Sequence, residues 1–371
     1  MLRYIFRYMN IIYYQLRALR WLTSIVRRVN LSLSWVSLFF ESTTLTSLTK
    51  IFKSFRHKEV KMGKKTYKMI LLLFYCAAAN CSHKFERGYY HDDGACFSPD
   101  GNYIAFAHAQ VYYQESGAVD TLVSGIYIMK LDSTELKLVC EGIGNNVDWS
   151  SDGKMLVFNA QNELWLYIIE KDSLIQLTND GEIKHSARFS PDGKKIAYYI
   201  PFVGRGICVI NIDGTNNHSI FPGDENFAPA CGPDWFKSGD KFLFVGWFRD
   251  PTVDGGWCTA LCYADTTGKN LVKLLDAESM GFRIGEISSP TLSPDEKEIL
   301  FYALKKGKEQ NQEIWKVNID GTNPRQLTHL GGEDPSWSPD GKWIIFSDGS
   351  TGGLSLMRPD GSDYRKITSY E

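Results

Sequence analysis

Six times after residue 96 the chain spells an aromatic residue or leucine, a turn and an apolar run. No other feature constrains its fold as tightly. The strings are FSPDG (97–101), WSSDG (149–153), FSPDG (189–193), WFKSGD (235–240), LSPDE (292–296) and WSPDG (337–341). Their lead residues Phe97, Trp149, Phe189, Trp235, Leu292 and Trp337 stand 52, 40, 46, 57 and 45 residues apart. An apolar stretch follows each one: YIAFA, MLVF, KIAYY, FLFV, EILFY and WIIF. A second string, such as IYIMKLDS (126–133) or ICVINIDG (207–214), and a third, such as LIQLTND or PRQLTHL, complete every unit.

Ser-Pro-Asp-Gly is a β-turn sequence, because Pro fixes φ at the second position and Gly accepts positive φ at the last. The x-Asp-Gly of the second string marks another hairpin. Each unit therefore reads as four short strands, a–b–c–d, with tight turns at a–b and c–d. Strand b is apolar on both faces, as a strand sandwiched between neighbouring sheets must be. One four-stranded sheet cannot bury both faces, whereas six arranged radially can. The sequence predicts an all-β fold, a six-bladed β-propeller of four-stranded antiparallel blades. It is assigned to residues 82–371, with the first inner strand near residue 88. Ring closure has two readings, an added edge strand from residues 82–90 or face packing alone.

This pattern resembles the TolB-like propellers, whose WD40-like repeats occur in TolB and in the propeller domains of prolyl-oligopeptidase-type enzymes. The resemblance covers nearly all of the chain after Cys81. TolB carries an α/β domain before its propeller, but only about ten residues separate Cys81 from the first inner strand. No G-x-S-x-G nucleophile elbow occurs. The resemblance thus implies a stand-alone propeller, a scaffold that hosts many functions.

The segment ahead of the repeats is of another kind. Residues 62–81, MGKKTYKMILLLFYCAAANC, have a cationic start, an 11-residue apolar run from Met69 to Ala79 and small residues. That is the order of an export signal, and the run is well short of the roughly 20 residues a spanning helix needs. Ala77-Ala78-Ala79 suits ordinary cleavage, while Ala78-Ala79-Asn80-Cys81 resembles a lipoprotein box that would acylate Cys81. Either reading places the body outside the cytosol, periplasmic or lipid-anchored to the bacterial outer membrane or cell surface. Residues 1–61 read as a non-native upstream extension, because an export signal works at the end of a chain.

The formal charge of −2 averages unlike parts, +9 over residues 1–61 and −14 over residues 81–371. An acidic body argues against nucleic acid, which needs clustered Lys/Arg.

All the turn strings fall on one rim, so the b–c and d–a connections fall on the other. The two longest spacings come from long connections in blades 1 and 4, and loops that vary on a rigid scaffold are where binding usually lives. The b–c connections carry Tyr112, Tyr113, Phe202, Arg205, Trp247, Phe248, Arg249 and Trp257. The d–a connections add Lys184, His185, Phe227, Phe282 and Arg283. Arginine and aromatic side chains on an acidic body suit an anionic peptide, a glycan or a partner protein. The competing reading is that many of these aromatics only plug the wide end of the channel.

His91, Asp92, Asp93 and His185 precede inner strands and are expected to approach the channel mouth, either for acid/base work or as plain hydrogen-bonding residues. The seven histidines show no zinc spacing, and the Asp-rich turns lack the calcium-loop series, so no metal or cofactor is expected. Cys258 and Cys262 lie about 13 Å apart along a strand and cannot pair. A Cys231–Cys258 bridge is compatible with an oxidising compartment.

The leading expectation is a cell-envelope binding or scaffolding propeller holding a protein, peptide or glycan on its loop rim. Its possible membrane attachment is through a lipid on Cys81. The alternative is a glycan lyase or hydrolase using the channel-mouth residues, and a third reading is a structural subunit of an envelope complex.

Overall fold

The computed structural model describes residues 89–113, 119–142, 144–201, 205–252, 256–282, 287–305 and 311–368, all within one compact unit. The upstream extension, the leader, Cys81 and residues 82–88 lie outside the described residues, as do Phe202 and Arg283.

Six four-stranded sheets follow one another along the chain, each in the order a–b–c–d. Blade 1 is β1 (Tyr89–Phe97), β2 (Tyr103–Tyr113), β3 (Val119–Lys130) and β4 (Lys137–Glu141). Blade 2 is β5 (Gly144–Trp149), β6 (Met155–Ala160), β7 (Glu163–Ile168) and β8 (Ser173–Gln176). Blade 3 is β9 (His185–Phe189), β10 (Lys195–Ile200), β11 (Gly206–Asn211) and β12 (His218–Phe221). Blade 4 is β13 (Phe227–Trp235), β14 (Lys241–Arg249), β15 (Trp257–Asp265) and β16 (Val272–Asp276). Blade 5 is β17 (Ser288–Leu292), β18 (Glu298–Ala303), β19 (Glu313–Asn318) and β20 (Arg325–Gln326). Blade 6 is β21 (Glu333–Trp337), β22 (Ile344–Ser347), β23 (Leu354–Met357) and β24 (Arg365–Lys366).

The serine of the turn string does as much as its proline and glycine. Ser98 Oγ donates to Asp100 Oδ1 at 2.5 Å and accepts the Tyr103 N–H at 2.9 Å, tying the turn to the start of β2. Ser150, Ser190, Ser293 and Ser338 repeat this bridge to Asp152, Asp192, Asp295 and Asp340. All five serines are buried. Blade 4 has Phe236 at that place and uses Ser238 with Asp240 instead.

Strand b serves two cores at once. In β6, Leu156 and Phe158 face the blade 1–2 core while Val157 between them faces the blade 2–3 core, and all three are fully buried. β10 does the same with Ile196 and Tyr198 on one side and Ala197 on the other. Fully burying one such aliphatic or aromatic side chain contributes about 1.5–3 kcal/mol. One apolar cluster fills each of the six junctions, including the one between blades 6 and 1.

That last junction closes the ring by face packing. Ala95, Phe97, Ile104 and Phe106 of blade 1 pack on Ile345, Leu354 and Leu356 of blade 6. No described strand of one blade joins the sheet of the other. The polar part of the closure is Asp92, whose N–H donates to Gly352 O at 2.8 Å and whose Oδ2 accepts from Thr368 Oγ1 at 2.5 Å.

Candidate functional site

The b–c hairpins set the relief of the loop rim. In blades 2, 3 and 5 the b and c strands are six residues long. In blade 4 they have nine each, and in blade 1 they have 11 and 12. Three extra residues lengthen a strand by about 10 Å, and five or six by roughly 17–20 Å. Blades 1 and 4 lie opposite each other in a ring of six, so two walls rise across the channel mouth.

The blade 4 wall carries most of the predicted side chains that remain at the surface. The Arg249 guanidinium lies 5.4 Å from the Trp257 ring, its cross-strand partner, and Trp247 stands half-buried beside them. Lys273 Nζ sits 4.4 Å from the Phe248 ring. On the neighbouring rim segment Arg205 is exposed and pairs with Glu182 at 3.2 Å. The side chains of Tyr112 and Tyr113 lie outside the described residues, although the backbone of both belongs to the blade 1 wall.

Three expected rim residues belong to the interior instead. Phe282 is fully buried, packing edge-on against Phe301 and Trp315 in the blade 4–5 core. Burying its apolar ring between the two sheets is favoured over leaving it on an exposed connection. Phe227 joins Phe221, Phe244 and Phe248 in the blade 3–4 core. Lys184 has no exposed surface and is held by Glu163, Asp180 and the carbonyls of Asn162 and Glu182.

At the channel mouth the four expected residues separate. Asp92 is fully buried at the blade 6–1 seam, held by His108 Nδ1 at 2.6 Å and by Thr368, so it does not face the channel. His185 is half-buried at the start of β9, and burial lowers its pKa toward the neutral ring. His91 and Asp93 do converge, with Nε2 and Oδ2 3.8 Å apart.

Asp93 also meets Asp334 of blade 6 across the axis of the seam. Burial drives the Asp334 carboxyl well above the ordinary range, and the Asp93 charge and hydrogen bond push it further. Burial opposes ionisation of Asp93 as well, but its hydrogen bonds with Asp334 and His91 outweigh that and hold it well below the ordinary range. The two carboxyls are thus pushed in opposite directions, Asp334 toward its protonated form and Asp93 toward its ionised form. Ser289 Oγ of blade 5 donates to Asp334, and the Asp93 hydrogen bond raises the His91 pKa against the effect of burial.

Deeper in the channel lie residues not singled out in the sequence. The residue just before each turn-leading side chain is Cys96, Asp148, Arg188, Asp234, Thr291 or Ser336, and of these Cys96 packs in the blade 1–2 core. Asp148 accepts the Phe189 N–H of the next blade at 2.8 Å, and Asp234 accepts that of Leu292 at 2.8 Å. Burial raises both carboxyls, Asp148 to about 6. Burial disfavours the Arg188 charge, but Asp148 and Asp234 on either side more than offset this and raise its pKa. The Asp-Trp and Arg-Phe pairs ahead of three of the turns were the legible signal for this ring.

Every inner strand is also kinked at one depth. Gly94, Asn146, Ser186, Gly232, Ser289 and Asp334, three residues before the turn-leading residue, all have left-handed φ between 46 and 98°. The sheet register breaks at that point in all six blades. Four of these six positions are glycine or serine, Asn146 Oδ1 accepts the Ser186 N–H at 3.0 Å, and Asp334 turns its carboxyl to Asp93.

The six cysteines of the described residues are free, so Cys231 and Cys258 are not bridged. Cys231 Sγ instead accepts from Ser288 Oγ at 3.1 Å and from the Ser289 N–H at 3.2 Å. Among the described residues no group of three or more His, Cys, Asp and Glu side chains is placed to hold a metal ion.

No family model matches the chain. An uncharacterized protein of Agrobacterium fabrum (strain C58) is 27% identical over 195 residues, covering 50% of this chain and 59% of that protein. The chain thus spans less than two thirds of the length of this curated relative. Among solved structures, a TolB protein from Agrobacterium tumefaciens matches with a TM-score of 0.52 at 20% identity, over 65% of this chain and 86% of its own. TolB from Acinetobacter baumannii matches with a TM-score of 0.50 at 16% identity, over 71% and 79%. At these identities the likeness is one of fold: the chain is a six-bladed propeller of the TolB-like type.

Proposed function

We propose that this propeller is an exported binding module of the bacterial cell envelope, holding a protein, peptide or glycan between the two hairpin walls of its loop rim. The observation that carries this reading is the placement of the two lengthened b–c hairpins seen among the described residues, in blades 1 and 4, on opposite sides of one channel mouth. A rigid ring with two opposed projections suits capture better than chemistry. Arg249, Trp257 and Trp247 supply the aromatic and cationic contacts typical of binding hot spots. Membrane attachment through a lipid on Cys81 belongs to the same reading.

The test is capture of envelope components by the purified chain, comparing the parent with Arg249→Ala/Trp257→Ala. Loss of the captured component with an unchanged melting temperature supports the rim. Equal capture by both forms overturns it.

A second reading, a glycan lyase or hydrolase, is favoured by the His91–Asp93–Asp334 cluster, in which an imidazole and two carboxyl groups come together. It requires that the chain release unsaturated or reducing ends from an acidic polysaccharide, and that Asp334→Asn abolish the release. A chain inert toward such substrates leaves the binding reading alone.

A further inference from the structure

A cleft of the turn rim lies between blades 1 and 2, away from the loop rim where binding was expected. It has a volume of about 850 Å3, against about 260 Å3 for the corresponding cleft between blades 3 and 4. Its floor is apolar, made by Tyr103 and Ile128 of blade 1 and Trp149, Tyr167 and Ile169 of blade 2. Asp100 and Asp152 stand at its edge, and so does Glu135, which is paired with Lys130. The one Lys or Arg lining it is Lys137, which is already taken by Asp172 at 2.9 Å and the Tyr167 hydroxyl at 2.7 Å. The cleft is therefore apolar within and negative around.

Its outer lip is the edge strand β4. This strand pairs with β3 on one side, and among the described residues no strand joins it on the other. An open edge leaves a row of N–H and C=O groups to be satisfied, by water or by an added strand. β4 has five residues, whereas the outer strands of blades 5 and 6 have two each. It is also flanked by uncovered apolar side chains, with Leu136 59% and Leu138 40% exposed. Monomeric surfaces usually blunt such an edge with charge, and here the apolar residues continue into the cleft.

We propose that an extended, basic, leucine-containing peptide segment adds to β4 as a fifth strand of blade 1 and lays alternate side chains into the blade 1–2 cleft. The period of two along a strand suits this geometry, because every second residue of the added strand faces blade 2. Apolar residues at those positions cover Tyr103, Leu136 and Ile169, and lysines between them reach the carboxylates at the edge. The charge sets the occupant, since an acidic segment would meet Asp100 and Asp152, and among the described residues no free cation lines the cleft. This surface is independent of the loop-rim reading and faces the other side of the ring.

The experiment uses the full chain and three synthetic ten-residue peptides: one alternating lysine and leucine, its glutamate–leucine counterpart, and the lysine–leucine peptide N-methylated at alternate amides. Fluorescence anisotropy should show saturable binding of the first and at least tenfold weaker binding of the other two. Leu136→Lys should weaken the first by at least tenfold, and the control Val272→Lys on the blade 4 edge should leave it unchanged. No binding at 1 mM peptide, equal binding of the N-methylated form, or indifference to Leu136→Lys each overturns the proposal.

Discussion

Asp92 of the first blade and Thr368 of the last are joined by a hydrogen bond of 2.5 Å, and this pair takes over a role that other blades fill internally. In blades 2 and 5 the threonine two residues past the last strand donates to a glutamate at the start of strand c, Thr178 to Glu163 and Thr328 to Glu313. In each, the same threonine accepts the next N–H, that of Leu164 or Ile314. Thr368 accepts the Leu354 N–H in the same way, but Gly353 stands where the glutamate would be. A Cβ at Gly353 would lie 2.3 Å from Thr368 O, so the carboxylate comes from the neighbouring blade instead.

Asp92→Ala should therefore cost about 2–3 kcal/mol, the range for a buried charged hydrogen-bond partner. Thr368→Val should cost less, and the double variant should be less than additive. Urea unfolding of the four proteins measures the coupling, and full additivity would show that the two side chains do not act together.

Stability should fall as the pH rises through the weakly acidic range. Asp334 and Asp148 hold their protons more tightly folded than unfolded, Asp148 to about 6. Their contribution is complete below the ordinary carboxylate value of about 4 and is lost as the pH climbs through the folded values. Asp93 has the opposite sign, contributing above that ordinary value and failing only in stronger acid. Melting temperatures of Asp334→Asn should be flatter above pH 6 than those of the parent. A parallel decline in both would remove Asp334 from the account.

Phe282 and Arg249 were read alike from sequence as loop-rim residues, and they should now behave differently. Phe282→Ala opens a cavity in the blade 4–5 core and should cost about 3–5 kcal/mol. Arg249→Ala loses only an exposed cation–π contact of about 0.5–1 kcal/mol. Chemical unfolding distinguishes them directly.

Ser338→Ala should cost about 1–2 kcal/mol, because the buried hydroxyl serves both Asp340 and the Trp343 N–H. Ser238→Ala in blade 4, where the serine is exposed, should cost less. Similar losses at both sites would mean that the buried bridge adds nothing to the turn.

The blades were legible because a turn string recurs with its lead aromatic, and local chemistry fixes each hairpin. What could not be read was whatever joins one blade to another. Asp92 precedes an inner strand and looks like a channel residue until Thr368, 276 positions later, arrives beside it. Asp93 and Asp334 form a pair only once the ring is closed. Phe282 lies in a long connection, and nothing local distinguishes a loop aromatic that stays out from one that folds under. Asp148, Arg188 and Asp234 were visible as polar residues beside apolar ones, but their convergence depends on the radial arrangement.

The six left-handed kinks have a consequence for how the blades depend on one another. Together with their neighbours they line one space of about 20 Å3, room for roughly one water. Each blade contributes its kinked residue to this space, so a substitution at any one of them acts on a point shared by the whole ring.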